Sequence, residues 1–304
     1  MKNCSDKRRT IDAFPSYSAM REPGFYTHMF VQDIEVGLMG FRYSEGEHER
    51  QIKVDGDGAG IASLKTICKS ISHDSRYEVA DSVKSVIESI GARLAWFGEA
   101  VYEICGHGPD KTVASVVPFR LFRVPGGFVQ IVPKADREWL EGRRFVFLPS
   151  HCAWVVDVPP CAGGPKAHRR LLTHLTAVSR PAPDFWTEEL KAGKIVTVFN
   201  LSDYNRRRSA YVARQTRRWG WNRRDSSGTY DTEFFYFFRS LRFRKYQAVL
   251  RDHIVAELNR FLTREGINVR IRLEGFRSPA EIDDLIGRAL DGSLHYAEAL
   301  KQAR

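Results

Sequence analysis

A long amphipathic helix followed at once by a short apolar strand constrains the fold of this 304-residue chain more than any other feature. Apolar residues recur at three- and four-residue steps along one side of this helix, at Val79, Val83, Ile87, Ile90, Leu94 and Phe97. The pattern predicts a helix over about Asp81–Phe97, with Asp81 or Ser82 as its N-cap and Gly98 at its end. Because such a stripe must pack against another layer, we expect a sheet beside the helix.

Short strands occupy the middle of the chain. Five runs separated by glycine- and proline-rich turns predict strands at Ala100–Ile104, Val113–Arg123, Gly127–Val132, Phe145–Leu148 and Ala153–Val158. We expect them to form a small, mainly antiparallel sheet behind the long helix. Residues 1–60 predict an irregular arm followed by short strands, the first within Gly24–Met39. Asp55–Gly60 predicts a flexible turn rather than a calcium loop, because it lacks the later acidic ligands and the closing glutamate.

Helical patterns dominate the second half of the chain. Helices are predicted over Lys166–Ser179, Asp184–Lys191, Ser202–Trp219 and Asp231–Arg264, with a last helix from Ser278 to Leu290. Strands are predicted at Ile195–Phe199 and Val269–Leu273. The predicted fold class is therefore α+β, with a small antiparallel sheet and long helices.

Cysteine usage and hydropathy predict a soluble, cytoplasmic protein. The five cysteines are scattered and form no CxxC pair, which indicates neither a disulfide framework nor a zinc ribbon. We expect reduced, mostly buried thiols. The basic N-terminus is not followed by the apolar segment of a signal peptide. The most apolar run, Phe234–Phe238, is too short to span a bilayer, so no membrane partner is predicted.

Most of the positive charge lies in one segment, residues 201–251. The segment holds thirteen Arg or Lys residues against four acids, a net +9 of the chain's +10. The basic residues are Arg206, Arg207, Arg208, Arg214, Arg217, Arg218, Arg223, Arg224, Arg239, Arg242, Arg244, Lys245 and Arg251. Trp219 and Trp221 are interleaved with them, a mixture typical of nucleic-acid surfaces. An arginine-rich contact with the acids of a neighbouring subunit explains the segment equally well, and a helix-turn-helix reader is a further alternative.

The sequence predicts no enzyme, and no metal or cofactor. Pro183-Asp184 with Glu189 and Lys191 imitates a nuclease signature, but the two acids are expected on one helix rather than on neighbouring strands. The pairs Cys105–His107 and His151–Cys152 fit solvent-facing or core roles better than metal or nucleophile roles. Phosphate-loop, dinucleotide, nucleophile-elbow and zinc-protease motifs are all missing from the sequence.

Two stretches resemble a known family. The pattern from Val83 to Ile104 predicts a long helix, which is followed by the sequence Gly-Glu-Ala-Val-Tyr-Glu-Ile at positions 98–104. This is similar to the wing of tailed-bacteriophage portal proteins, where a helix precedes a strand of the form G-x-A-x-Y-E-I, and Val117–Phe122 resembles its continuation. Residues 250–262, followed by a strand and a helix ending at 289–294 with Glu298 nearby, resemble the family's C-terminal region. The resemblance covers about half of the chain, in the family's order.

The resemblance implies a portal protein, which forms a head–tail connector ring at the capsid vertex. It implies a homo-oligomer of twelve subunits, double-stranded DNA in the channel, and the terminase large subunit, a head–tail adaptor and the major capsid protein as partners. The location would be the virion, and the host cytoplasm during assembly. The corresponding regions are a wing (1–164), a first stem-like helical region (165–194), a clip (195–230), a long helix (231–265) and a C-terminal strand and helix (266–304). The alternative is a monomeric or dimeric, sequence-independent nucleic-acid-binding protein that uses residues 201–251.

Overall fold

The protein has an α+β fold in a computed structural model, as its sequence predicts. The structure describes residues 4, 8–10, 24–40, 50–72, 78–106, 111–117, 120–179, 201–222 and 232–303. The helices of these residues are α1 (Phe25–Leu38), α2 (Gly58–Ser72), α3 (Val79–Phe97), α4 (Gly164–Ser179), α5 (Leu201–Gln215), α6 (Glu233–Arg264), α7 (Pro279–Leu290) and α8 (Tyr296–Gln302). The strands are β1 (Gln51–Gly56), β2 (Glu99–Cys105), β3 (Thr112–Val116), β4 (Leu121–Val124), β5 (Gly127–Ile131), β6 (Phe145–Pro149), β7 (Ala153–Asp157) and β8 (Val269–Glu274).

The succession of α3 and β2 confirms the helix and strand predicted at the centre of the fold, but the N-cap of α3 is Glu78 instead of Asp81 or Ser82. Gly98 adopts a left-handed conformation, φ 77°, and its N–H donates to Leu94 O at 2.8 Å, which ends α3. All seven residues of β2 are buried. Tyr102 belongs to the main core, whereas Val101 packs on the other face against a smaller cluster. The strand is therefore covered on both sides.

The strands form separate small sheets rather than the single sheet expected. Two three-stranded antiparallel sheets have the orders β3-β2-β7 and β4-β5-β6, and β1 pairs antiparallel with β8. The predicted strand Val113–Arg123 is interrupted, because β3 ends at Val116 and β4 begins only after Arg120, whose φ is 72°. The β1–β8 pair joins the first quarter of the chain to its last.

The expectation of short strands within Gly24–Met39 is wrong, because this segment forms helix α1. Tyr26, Phe30, Ile34 and Leu38 are buried at four-residue steps, so the aromatic and β-branched residues line one helix face instead of alternating across a strand. Asp55–Gly60 is likewise no flexible turn. It contains the end of β1 and the start of α2.

Several predictions for the second half are confirmed. Thr232 caps α6 by accepting a hydrogen bond from the Phe235 N–H at 3.2 Å, and Ser278 forms a capping box with Glu281 at the start of α7. Helix α5 ends at Gln215 instead of continuing to Trp219. The predicted helix Asp184–Lys191 and strand Ile195–Phe199 lie outside the described residues, as do the acids of the nuclease-like pattern.

One pair of cysteines departs from the expectation of reduced thiols throughout. Cys4 and Cys152 form a disulfide between residues 148 positions apart, with Cα atoms 5.6 Å from each other. The pairing was invisible in the sequence because only the fold brings the two residues together. Cys68 and Cys105 are free and buried as expected, and burial raises the pKa of their thiols to about 12 and about 11.

Candidate nucleic-acid interface

The arginine-rich segment is built from α5, the turn after it and the first half of α6. Helix α5 lies against α4, where its Tyr211 hydroxyl is hydrogen-bonded to His174 Nδ1 at 3.1 Å. Val212 is 1% exposed and anchors the inner side of α5 in the main core. This packing leaves the outer side of the helix at the surface.

Among the described arginines of the segment, five are exposed, namely Arg206, Arg207, Arg214, Arg217 and Arg218. The three on α5 lie within about 100° of one another around the helix axis, and about 12 Å separates the first from the last along it. Arg217 and Arg218 extend the group beyond the end of the helix. We call these five residues the α5 ridge. Its planar guanidinium groups can bind phosphate or carboxylate oxygens in pairs.

Both tryptophans of the segment are core residues. Trp221 is 2% exposed, and its Nε1–H donates to Asp33 Oδ2 at 2.8 Å. Its ring packs edge-on against Phe30, with centroids 5.4 Å apart. Trp219 is 6% exposed and lies beside Tyr246, a residue of α6 whose hydroxyl pKa is raised by burial. The two indoles anchor the turn to the core and present no stacking platform for a base.

Arg239, one helical turn and a half into α6, is a buried structural residue. Its guanidinium donates to Ala213 O at 3.0 Å, to Thr216 Oγ1 at 2.6 Å and to Trp221 O at 2.5 Å. These acceptors lie at the end of α5 and in the turn that follows, where the helix leaves carbonyl groups without intrahelical partners. Arg239 therefore clamps the turn to α6.

Four further basic residues of the segment, Arg208, Arg242, Arg244 and Lys245, are half-buried and occupied in local contacts. The Arg208 guanidinium lies 4.7 Å from the ring centroid of Tyr26 on α1. Arg242 donates to Arg218 O at 3.3 Å, and Lys245 pairs with Asp283 of α7 at 2.6 Å. Arg244 donates to Gln247 Oε1 at 3.2 Å and lines a cavity. The predicted residues Arg223 and Arg224 lie outside the described part of the chain.

The structure also presents two surfaces that the sequence did not reveal. Three arginines from distant segments, Arg50, Arg251 and Arg277, meet Arg244 around that cavity. On the sheet β4-β5-β6, three phenylalanines are exposed on one face. The apolar residues of β6, which occupy both faces of the strand, were the only sequence signal for the phenylalanine surface. The arginine-lined cavity had no sequence signal.

Comparison with family models, with curated proteins and with solved structures finds no match for this chain. Among the described helices, none combines the length and the apolar character needed to cross a bilayer.

Proposed function

We propose that this chain is the subunit of a portal-type ring through which double-stranded DNA passes. The observation that carries the proposal is the exposed aromatic face of the sheet β4-β5-β6. Phe122, Phe145 and Phe147 are 52%, 54% and 47% exposed. Phe122 and Phe147 both lie opposite Val129 of the central strand, so they form one continuous row across the sheet. A contiguous apolar patch of this kind marks a protein contact rather than a solvated face.

The charge around this aromatic face favours a second copy of the chain as its partner. Arg144 lies 5.2 Å from the ring centroid of Phe145, whereas the exposed Arg143 beside it pairs with Glu141 at 2.8 Å. At the other end of the chain, helix α7 exposes Asp284 and, at its last residue, Leu290, which is 56% exposed. An aromatic face beside Arg144 and an apolar helix end near an exposed acid are different surfaces, which favours the head-to-tail contact of a closed ring.

The α5 ridge supports contact with DNA in the same assembly. Exposed arginines attract a duplex through its phosphates, whatever its sequence, and a moving duplex requires contacts of that kind. In a ring, each subunit would contribute one ridge. The terminase large subunit, a head–tail adaptor and the major capsid protein are the proposed protein partners, and the proposed location is the virion vertex, with assembly in the host cytoplasm.

Native mass measurement tests the ring. We expect twelve subunits and a mass of about 418 kDa, twelve times the chain mass of 34.8 kDa. Phe147→Asp should yield monomers, because it places a charge in the centre of the apolar face. Phe25→Asp is the matched control, since Phe25 is 57% exposed on a different element, and it should leave the ring intact. A wild-type chain that remains monomeric at micromolar concentration contradicts the proposal.

A second candidate function is sequence-independent nucleic-acid binding by a monomer or dimer, and the α5 ridge favours it. The test is duplex binding over a range of salt concentrations, for the wild type and for Arg206→Gln/Arg207→Gln/Arg214→Gln/Arg217→Gln. The logarithmic salt slope should fall by about 0.9 for each DNA phosphate that the variant no longer neutralises. The control Arg260→Gln removes an exposed arginine at the far end of α6, and it should leave the slope unchanged. Full affinity in the quadruple variant rules out this function.

A further inference from the structure

Four arginines line a cavity of about 280 Å³ between α1, α6 and the C-terminal helices, and they are Arg50, Arg244, Arg251 and Arg277. We propose that this cavity binds a small phosphate-bearing anion. The site is separate from the α5 ridge and does not require a ring. Apart from Gln247, the other described lining residues are apolar or glycine, and none of them is acidic.

Two of the four arginines are paired with acids. Arg251 is 7% exposed, and its Nε donates to Asp252 Oδ1 at 2.8 Å. Arg277 pairs with Glu281 at 2.9 Å. Neither acid lines the cavity, so the charged residues of its described lining are all arginines. Burial and the neighbouring charge of Arg251 also lower the pKa of Arg50, as expected for a partly buried guanidinium group close to another cation.

The walls hold the guanidinium groups in place. The ring of Phe276, in the turn between β8 and α7, has the guanidinium carbons of Arg50 and Arg251 at 5.5 and 5.0 Å from its centroid. Arg251 also donates to Arg277 O at 2.7 Å, which ties α6 to the same turn. Gly40 has a φ of +69°, and a Cβ atom there would lie 2.0 Å from Arg50 Nη1. A side chain at this position would therefore displace that guanidinium from where it lies.

Size and chemistry both favour phosphate. The volume lies just below the roughly 300–1,000 Å³ of pockets for drug-sized ligands, so the occupant is small. Guanidinium groups bind phosphate oxygens through paired, charge-assisted hydrogen bonds, and a cavity wall of low polarity strengthens these bonds. A free phosphate or phosphomonoester and a phosphate of the DNA backbone share this chemistry.

Calorimetric titration of the full chain with inorganic phosphate at constant ionic strength, held with potassium chloride, tests the site. The wild type should bind phosphate, and Arg50→Gln should weaken binding about 10- to 150-fold, as expected when hydrogen bonds between charged groups are removed. Arg251→Gln should have a similar effect. Because Arg251 is buried and its variant can lose stability, the half-buried Arg50 is the primary test, with thermal unfolding as a check on folding.

Arg260→Gln is the matched control, since Arg260 lies on the same helix as Arg251 and is largely exposed. It should leave phosphate affinity unchanged. Titrations with a nucleoside monophosphate and with duplex DNA distinguish the sources of the phosphate. Loss of affinity in Arg50→Gln for the small ligands alone assigns a free phosphate, whereas an equal loss for duplex assigns the DNA backbone. No phosphate binding by the wild type, or an equal loss in Arg260→Gln, overturns the proposal.

Discussion

Replacing Arg239 by methionine should destabilise the protein far more than the same change three residues further along α6. Arg239 is 5% exposed and reaches three acceptors in the α5 turn, at 2.5 to 3.0 Å. Arg242 is half-buried and makes a single hydrogen bond of 3.3 Å to Arg218 O. The two arginines share a helix and a chemistry, so Arg242→Met is a matched control.

The expected magnitude follows from the hydrogen bonds. A hydrogen bond that involves a charged group contributes about 1.5–3 kcal/mol, and such contributions are not additive within one cluster. Methionine keeps most of the side-chain length, so packing against Phe235 is largely retained, and the buried charge disappears together with its desolvation cost. The remaining loss comes from the carbonyl groups of Ala213 and Trp221, which would stay buried without this donor. We expect about 3 kcal/mol for Arg239→Met and about 0.5–1 kcal/mol for Arg242→Met.

Urea unfolding followed by tryptophan fluorescence measures both values, because Trp219 and Trp221 lie beside the Arg239 clamp. The midpoint of Arg239→Met should shift to markedly lower urea, with the slope of the transition unchanged. Surface substitutions scatter by about 0.5 kcal/mol in the free energy of unfolding. If the losses of the two variants agree to within that amount, Arg239 does not clamp the turn to α6.

Three further predictions concern stability. Burial lowers the pKa of His168 to about 4, and its Nε2–H donates to Ala95 O at 2.8 Å. Because the unfolded chain takes up this proton more readily, the contribution of neutral His168 to the free energy of unfolding is complete above pH 6.5. It falls by about 3 kcal/mol as the pH drops towards 4. Reduction of the Cys4–Cys152 disulfide should lower the free energy of unfolding by about 5 kcal/mol, because it releases a loop of 148 residues in the unfolded state. Gly220→Ala should cost about 2 kcal/mol or more, since φ is +75° and the new Cβ would lie 2.6 Å from Arg239 O.

Each of these predictions has its own control. His168→Gln should flatten the unfolding free energy between pH 6.5 and pH 4, and an unchanged slope would assign the acid loss to other groups. A reductant should leave the stability of Cys4→Ser unaltered. Gly142→Ala tests left-handed backbone strain alone, because φ is +78° there and, apart from its two chain neighbours, no described residue has an atom within 4 Å of the new Cβ. If both alanine variants lose the same free energy of unfolding, the close contact of residue 220 with α6 contributes nothing to that loss.

Much of the secondary structure could be predicted from local patterns. The stripe of α3, the Thr232 cap of α6 and the capping box at Ser278 each act within a few neighbouring residues, and all are present in the structure. Helix α1 was missed because its aromatic and β-branched residues favour strands, although their four-residue spacing fits a helix face. The glycines at the start of α2 concealed that helix in the same way, since glycine lowers helix propensity.

The candidate sites depended on packing that no local pattern contains. Sequence alone determined that residues 201–251 carry most of the net charge, because charge is a sum over residues and does not depend on the fold. Only the tertiary structure decided that Arg206 and Arg217 face solvent while Arg239 ties a turn to α6 and Trp221 packs in the core. The physical reason is that burial is set by whichever distant segment packs against a residue. Such partners lie far apart in the sequence, as Arg50 and Arg251 do, although both line the same cavity.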